Sequence, residues 1–380
     1  MNTPIADFVN NYARQEMSRF HMPGHKGAAF LGCETLDITE VKGADSLYEA
    51  DGIIAESEAN AAEIFGTGRT VYSTEGSSQC IRAMLYLAML EWREKRTAGK
   101  TENKPVVVAA RNVHKAFVYA AALLDFEVVW LWPEGEMNSL CSCQISKEMV
   151  EDTLAALHNQ GNNPAAVYLT SPDYLGQQQD IKGIAEICHK YDTILAVDNA
   201  HGAYLHFTEP KLHPIDLGAD ICSDSAHKTL PVLTGGAYLQ ISKNAPDGFK
   251  KSAKSAMALF GSTSPSYLTM ISLDLCNKYL SEGFEERLKS ASERIGSLGD
   301  SLKQSGWRVM ISEPLKMTIE MPDGISGCDL AEYLRENKIE CEYADPDFIV
   351  FMFTTENTDE DFRKIERAFE KKQLSDKQRL

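Results

Sequence analysis

Between about residues 56 and 240, short β-branched runs alternate with longer stretches whose apolar positions recur at helical spacing. The helical pattern ESEANAAEIFG precedes extended RTVYST, and SSQCIRAMLYLAMLEWREKR then reads as a long helix. Extended PVVVAA, helical HKAFVYAAALL and extended FEVVWLW follow. AAVYLT, TILAVD, ADICSDS and GAYLQIS supply four more strands, with IKGIAEICHKY as an intervening helix. Alternation of this kind predicts βαβ units and a mainly parallel sheet covered on both faces. Residues 265–306 read as long helices broken near Gly283. Beyond them WRVMIS, LKMTIEMP, a helix at CDLAEYLRENK, IECEYAD, DFIVFMFT and a final helix at DEDFRKIERAFEKK make a small α+β domain. The expected division is an N-terminal segment over 1–55, a large domain over 56–290 and a small domain over 291–380, with a frayed end at KKQLSDKQRL.

Composition narrows the function classes. A net charge of −17 argues against nucleic acid or an anionic membrane surface as partner, since each is bound by basic surfaces. Nine scattered cysteines without any CxxC pair fit reduced thiols. The N-terminus lacks a signal-peptide core, and no run of about 18 apolar residues occurs, so a cytoplasmic protein is expected. His21, His25 and Cys33 lack a fourth ligand at zinc spacing, so no metal is expected. GxSxG, Walker A and GxGxxG are all absent.

Ligands of parallel α/β sheets sit beyond the carboxyl ends of the strands, and three such ends carry suggestive groups. In STEGSSQ, Gly76, Ser77 and Ser78 open a long helix, whose N-terminus holds either a phosphate or an ordinary serine cap. In TILAVDNAHGAYL, Asp198 ends an apolar strand, where a carboxylate needs a cationic or hydrogen-bonded partner. A protonated pyridinium nitrogen is one such partner; a capping role is the plainer alternative. His201 follows, either near a cofactor or as a satisfied core residue. In ADICSDSAHKTLP, Lys228 lies just past a strand in an uncharged stretch, where burial would favour the neutral amine, flanked by Ser225 and His227. Each feature alone is weak. A phosphate cradle, a strand-end aspartate and a lysine 30 residues later together form the sequential signature of pyridoxal 5'-phosphate (PLP) held by a Schiff-base lysine.

The segments FHMPGHKG (20–27), DITEVKGADSLYEADGIIAESEANAAEIFG (37–66), STEGSSQ, ARNVHKAF (110–117), VDNAHGAYL (197–205), SDSAHKTLP (223–231) and STSPSYLTMISLD (262–274) resemble the bacterial ornithine/lysine/arginine decarboxylases. The resemblance covers nearly the whole chain and implies the fold-type-I, aspartate-aminotransferase-like fold: a large domain with a mainly parallel sheet plus a small C-terminal α+β domain. It implies PLP as cofactor and Lys228 as the lysine that binds it, with Asp198 on the ring nitrogen. His114 is then stacked on one ring face and Ala200 on the other. It further implies phosphate contacts from Ser77, Ser78, Ser225 and His227, and a homodimer in which the Ser262–Tyr267 segment, through Ser262 and Thr263, reaches the partner's cofactor. The segments around His25, Lys26 and Asp45 look like those near the substrate entrance.

Four departures bear on these expectations. Glu75 stands where asparagine is usual, placing a carboxylate beside the expected phosphate unless it turns away or finds a partner. DNAH replaces the commoner DEAH, and Ala28 follows PGHKG. Family members usually continue into a further C-terminal domain, whereas this sequence ends at Leu380. The expected activity is decarboxylation of an amino acid, most simply a basic one. Another PLP reaction on the same scaffold, such as transamination or β-elimination, is the first alternative, and a non-catalytic PLP-binding paralogue the second. Aminotransferases of this fold carry a small-domain arginine for the substrate carboxylate; Arg308 and Arg335 lack its flanking motif, which favours decarboxylation.

Overall fold

The computed structural model describes residues 1–95, 104–133 and 139–377, with side chains to 372. The chain forms two compact units, one comprising Met1–Ser171 with Gln179–Gly283, the other Pro172–Gln178 with the residues from Phe284 onward.

The first unit is built on a seven-stranded sheet. Its strands are β1 (Arg69–Ser73), β2 (Val106–Ala110), β3 (Glu127–Leu131), β4 (Ala166–Thr170), β5 (Ile194–Asp198), β6 (Ile221–Asp224) and β7 (Ala237–Ile241). They lie in the order β1-β7-β6-β5-β4-β2-β3, and all neighbours are parallel except β7, which runs antiparallel to both β1 and β6. All seven apolar runs read from the sequence are therefore strands of one sheet. The helices of this unit are α1 (Pro4–Arg14), α2 (Ile53–Ile64), α3 (Ser77–Lys95), α4 (Lys115–Leu124), α5 (Lys147–Asn159), α6 (Ile181–Lys190), the short α7 (Ala226–Thr229), α8 (Asp247–Ala258) and α9 (Tyr267–Ser281).

Alternation along each strand gives the sheet two apolar faces, because successive side chains point to opposite sides. Val107, Ala109, Ala166, Tyr168, Ala196 and Ile221 pack with α3, α4 and α8. Val108, Val167, Leu169, Leu195, Val197 and Cys222 pack on the other face with α5 and α6. The uninterrupted burial of β2, β5 and β7 is the mark of central strands covered on both sides. Helices start where side chains satisfy their free N–H groups: Ser146 accepts from Met149 N–H, Asp180 from Gly183 N–H and Ser266 from Thr269 N–H.

The sequence pattern does not mark α1, α5 or α8. The first looks like a polar N-terminus, yet Ile5, Ala6 and Val9 are buried, and the Asp274 carboxylate of α9 accepts from the N–H groups of Ile5 and Ala6, each at 2.9 Å. A cap supplied from a distant helix leaves no local signal.

The second unit carries β8 (Arg308–Glu313), β9 (Lys316–Glu320), β10 (Tyr343–Ala344) and β11 (Phe348–Met352) as an antiparallel sheet ordered β10-β11-β9-β8, with α10 (Phe284–Gln304), α11 (Gly327–Glu336) and α12 (Asp359–Lys377). Of IECEYAD only Tyr343–Ala344 pairs as strand. The expected fraying of KKQLSDKQRL is corrected as far as Lys377, since α12 continues to that residue; the last three residues lie outside the described ones.

Candidate active site

Lys228, His201, Asp198 and His114 come together at the carboxyl ends of β2, β5 and β6. β6 ends at Asp224 and the chain turns directly into α7, with Ser225 at its N-cap and Lys228 within it. The Lys228 Nζ lies 3.0 Å from Nε2 of His201, a histidine only 5% exposed. Lys228 itself is half-buried, less enclosed than its uncharged sequence surroundings imply.

Asp198 ends β5 and is 2% exposed. Its Oδ1 accepts from the Ala200 N–H at 3.2 Å and the Ser223 hydroxyl at 3.4 Å, and its Oδ2 from the Tyr168 hydroxyl at 3.2 Å. Burial pushes the Asp198 carboxyl up from its ordinary range, and the nearby charges of Lys228 and His114 pull it back. Burial and the adjacent carboxylate raise Tyr168 far above a normal phenol, so it stays a neutral donor. A buried carboxylate held by three neutral donors suits a cationic ligand atom better than a free surface would.

His114 caps α4: its Nδ1 accepts the Ala116 N–H at 3.2 Å, which leaves the proton of the neutral ring on Nε2. Desolvation lowers its pKa, Asp198 opposes the shift, and Lys228 and Lys115 reinforce it. The ring is only partly covered, as a face that receives a ligand must be.

Two loops meet where a phosphate cradle is expected from the sequence. Gly76 (φ +72°) precedes the 19-residue α3, which has no acidic residue in its first turn and opens with the half-buried Ser77 and Ser78. The Gly76 N–H donates to the Gly235 carbonyl at 2.7 Å. Gly235 has φ +96°, and a Cβ there would stand 2.7 Å from the Thr74 carbonyl oxygen, so only glycine lets the loops approach this closely. The next carbonyl, Gly236, accepts both the N–H and the Nδ1–H of His227, at 3.1 and 3.0 Å. Glu75 does not project freely at the cradle; its carboxylate accepts the Ser262 N–H. Ser262 and Thr263 are exposed, and within this chain Ser262 meets the cradle's rim.

Several buried polar atoms here have no partner. Asn112 Nδ2 and Oδ1, Thr170 Oγ1, Ser225 Oγ and Thr229 Oγ1 are sealed from solvent and unpaired, and they follow or end β2, β4 and β6. Such atoms are costly unless a ligand meets them. Beside them the half-buried Lys228 amine, the Asp198 carboxylate and the glycine-led N-terminus of α3 supply the donors and acceptor that a pyridine aldehyde bearing a phosphate needs. The residues present therefore fit PLP.

Asp45, expected near a substrate entrance, is a cap: its carboxylate accepts the N–H groups of Ser46, Asp51, Gly52 and Ile54. His25 pairs with Asp37 at 3.1 Å, and Lys26 donates to the His21 carbonyl at 2.5 Å. Among the described residues one group of potential metal ligands is close-set, His213, Cys222 and Asp224. Asp224 already accepts from Asn199 Nδ2 at 2.6 Å, His213 Nε2 at 3.1 Å and Gln240 Nε2 at 3.1 Å, and burial pushes the Cys222 thiol well up. That arrangement is a hydrogen-bond knot joining β6, β7 and the loop after β5, and Asn199, the departure from DEAH, is one of its donors.

Motif reading missed Tyr168 and Ser223, whose hydroxyls meet Asp198, and Gly235, whose carbonyl meets the Gly76 N–H. The GG pair in LTGGAYL, next to a lysine turn, was the available signal for a close backbone approach.

Comparison with known proteins bears on the same residues. The profile described as Orn/Lys/Arg decarboxylase, major domain, matches residues 3–305. The uncharacterized protein YaaO of Bacillus subtilis is 30% identical over 371 residues, covering 93% of this chain and 74% of that one. The arginine decarboxylase of the same organism is 28% identical over 391 aligned residues, covering 96% and 76%. Among solved structures, a Francisella novicida lysine decarboxylase superposes with TM-score 0.82 at 18% identity, covering 99% of this chain and 60% of that one. The constitutive lysine decarboxylase of Escherichia coli gives 0.78 at 19%, covering 98% and 61%. The chain thus spans about three-fifths of the length of those two lysine decarboxylases, and at such identity the likeness speaks to fold.

Proposed function

The chain belongs to the Orn/Lys/Arg decarboxylase family of PLP-dependent carboxy-lyases, and from that premise we propose that it decarboxylates a basic amino acid, lysine, ornithine or arginine, to its amine and CO2. The observation that carries the reading is the Lys228–His201 contact beside the triply hydrogen-bonded, buried Asp198.

PLP would be held by Lys228 at its carbonyl carbon and by Asp198 at its ring nitrogen. Ser225, His227, Ser77 and Ser78 would take its phosphate, and His114 and Ala200 its two faces. When bound, it supplies an electron sink for the pair left behind as the carboxylate departs. The protein's own residues do the rest. Asp198 keeps a proton at the ring nitrogen because Tyr168, Ala200 and Ser223 fix its oxygens and burial discourages their exposure to water. His201 Nε2, 3.0 Å from Lys228 Nζ, accepts a proton when the amine must be neutral and returns one when it must act as an acid. Lys228, beside His201, would return a proton to the substrate's Cα. His114 Nδ1 is tied to the α4 backbone, which fixes the ring's orientation.

The chain would act as a homodimer. Phe20, Phe30 and Leu31 of the N-terminal segment are 96%, 80% and 89% exposed, and apolar side chains this open are expected to be covered by a second copy. The test of function is product detection by mass spectrometry from PLP-loaded protein offered lysine, ornithine and arginine in parallel. An amine lighter than its substrate by one CO2 supports the reading, and a keto acid or pyruvate overturns it.

A further inference from the structure

We propose that a cavity at the amino ends of β4 and β5 binds an aliphatic ammonium ion such as a diamine. The cavity measures about 220 Å³, and its lining includes Glu91, Trp92, Lys95, Asn163, Asp192 and Ile194. It lies within the first unit, at the opposite end of the sheet from Lys228. Ile194 opens β5 and Asp198 closes it, four residues and about 13 Å further along the strand. The cavity is therefore separate from the cofactor site, and its ligand does not depend on the reaction proposed above.

The electrostatics of this place favour a cation. Helices that return the chain between parallel strands end at the amino side of the sheet, and three of them end here. Glu91, Trp92 and Lys95 belong to the C-terminal part of α3, while Gly161 and Asp192 each follow by two residues the last residue of α5 and of α6. Each helix end presents free carbonyl groups and the negative end of its dipole. Two carboxylates add to that potential against a single lining ammonium. Lys95 Nζ lies 2.8 Å from Asp192 Oδ1 but 3.6 Å from Glu91 Oε1, too far for a hydrogen bond. Lys190 and His189, at the end of α6, are engaged by Glu151 and Asp220. The Glu91 side chain is only 15% exposed, and among the described residues no donor reaches its carboxylate within hydrogen-bond distance. A carboxylate so covered is costly until a donor meets it, and a ligand ammonium supplies three N–H groups. Beside it, Ile194 and the Trp92 indole offer an apolar wall to methylene groups, the indole held by its N–H donating to the Asn163 carbonyl at 2.9 Å. A ligand carboxylate would instead face Glu91, Asp192 and three helix C-termini, so the site selects an amine over an amino acid.

The test is isothermal titration calorimetry of the PLP-loaded full chain with diaminopentane, comparing wild type, Glu91→Gln and Asp192→Asn. The visible cofactor band is followed in parallel to report events at Lys228. Glu91→Gln removes the anchoring charge at constant shape and is expected to weaken binding about ten-fold. Asp192→Asn, at a side chain 79% exposed and so without a part in the core, is expected to weaken it a few-fold, with a melting temperature like that of wild type. Aminohexanoate, which exchanges one ammonium for a carboxylate, is expected to bind wild type at least about ten-fold more weakly than diaminopentane. No binding by wild type, equal diaminopentane affinity in the three proteins, or equal affinity for aminohexanoate overturns the proposal. Diaminopentane binding that is sensitive to Glu91→Gln in a protein showing no cofactor band upholds it and overturns the cofactor reading alone.

Discussion

Replacing Gly235 by alanine tests whether the two loops of the phosphate cradle depend on their close approach. Two effects combine. At φ +96° a side chain is strained by about 1–2 kcal/mol. The new Cβ would also stand 2.7 Å from the Thr74 carbonyl oxygen, so the loops must separate by several tenths of an ångström. That separation loosens the 2.7 Å bond from the Gly76 N–H to the Gly235 carbonyl, worth about 1 kcal/mol. The sum is about 2–3 kcal/mol, equivalent to a drop of roughly 4–10 °C in melting temperature for a unit of this size. Gly161→Ala is the control: φ there is +70° but a Cβ would meet nothing within 4 Å, so only the backbone strain applies. Differential scanning fluorimetry and PLP titration of the two variants separate the effects. Gly235→Ala is expected to melt below Gly161→Ala and to lose about ten-fold in PLP affinity, with Gly161→Ala binding PLP as wild type. Equal melting and equal PLP affinity in the two variants would refute the idea that the cradle is set by this contact.

Two further outcomes follow from single carboxylates. Glu75 accepts the Ser262 N–H at the rim of the cradle, so Glu75→Gln, which keeps an acceptor and removes a charge near the phosphate, is expected to tighten PLP binding a few-fold at low salt, with the gain shrinking as ionic strength rises; weaker binding at low salt would contradict it. Burial raises Asp274 to about 6, above its unfolded value, so its contribution is fully present below about pH 3.8 and is lost as pH rises through about 6. Denaturant titrations of wild type against Asp274→Asn should therefore show a stability difference that shifts against wild type by about 2–3 kcal/mol between pH 4 and pH 7, and a pH-independent difference would be the refuting result.

The large sheet is legible in the sequence because its strands are short, mostly apolar runs: β2 is apolar throughout, β5 up to its final Asp198, and β7 apart from Gln240. The place of Asp198 at the end of β5, and of Lys228 in the turn just past β6, is legible for the same reason: a charged side chain at the close of a buried run stands at the sheet's rim. What stays hidden is whatever depends on contacts far apart in sequence. The α1 helix is capped by Asp274, so the local sequence carries no cap. Tyr168 is one more apolar residue of AAVYLT until β4 and β5 are paired, and only that register brings its hydroxyl to Asp198. Thr170 ends the same run, and its lack of a partner is a property of the packed sheet. The direction of Glu75 is equally non-local, since Ser262 lies in the loop after α8. The capping role of Asp45 is hidden in the same way, since its carboxylate gathers the N–H groups of Ser46, Asp51, Gly52 and Ile54 only once the loop is folded.

The central claim, that Lys228 anchors a decarboxylase, is tested most directly by mass spectrometry of the products formed by PLP-loaded wild type and Lys228→Ala from lysine, ornithine and arginine. The account predicts an amine lighter by one CO2 from at least one substrate with wild type and none with Lys228→Ala; equal amine formation by both proteins, or a keto acid in place of the amine, would contradict it.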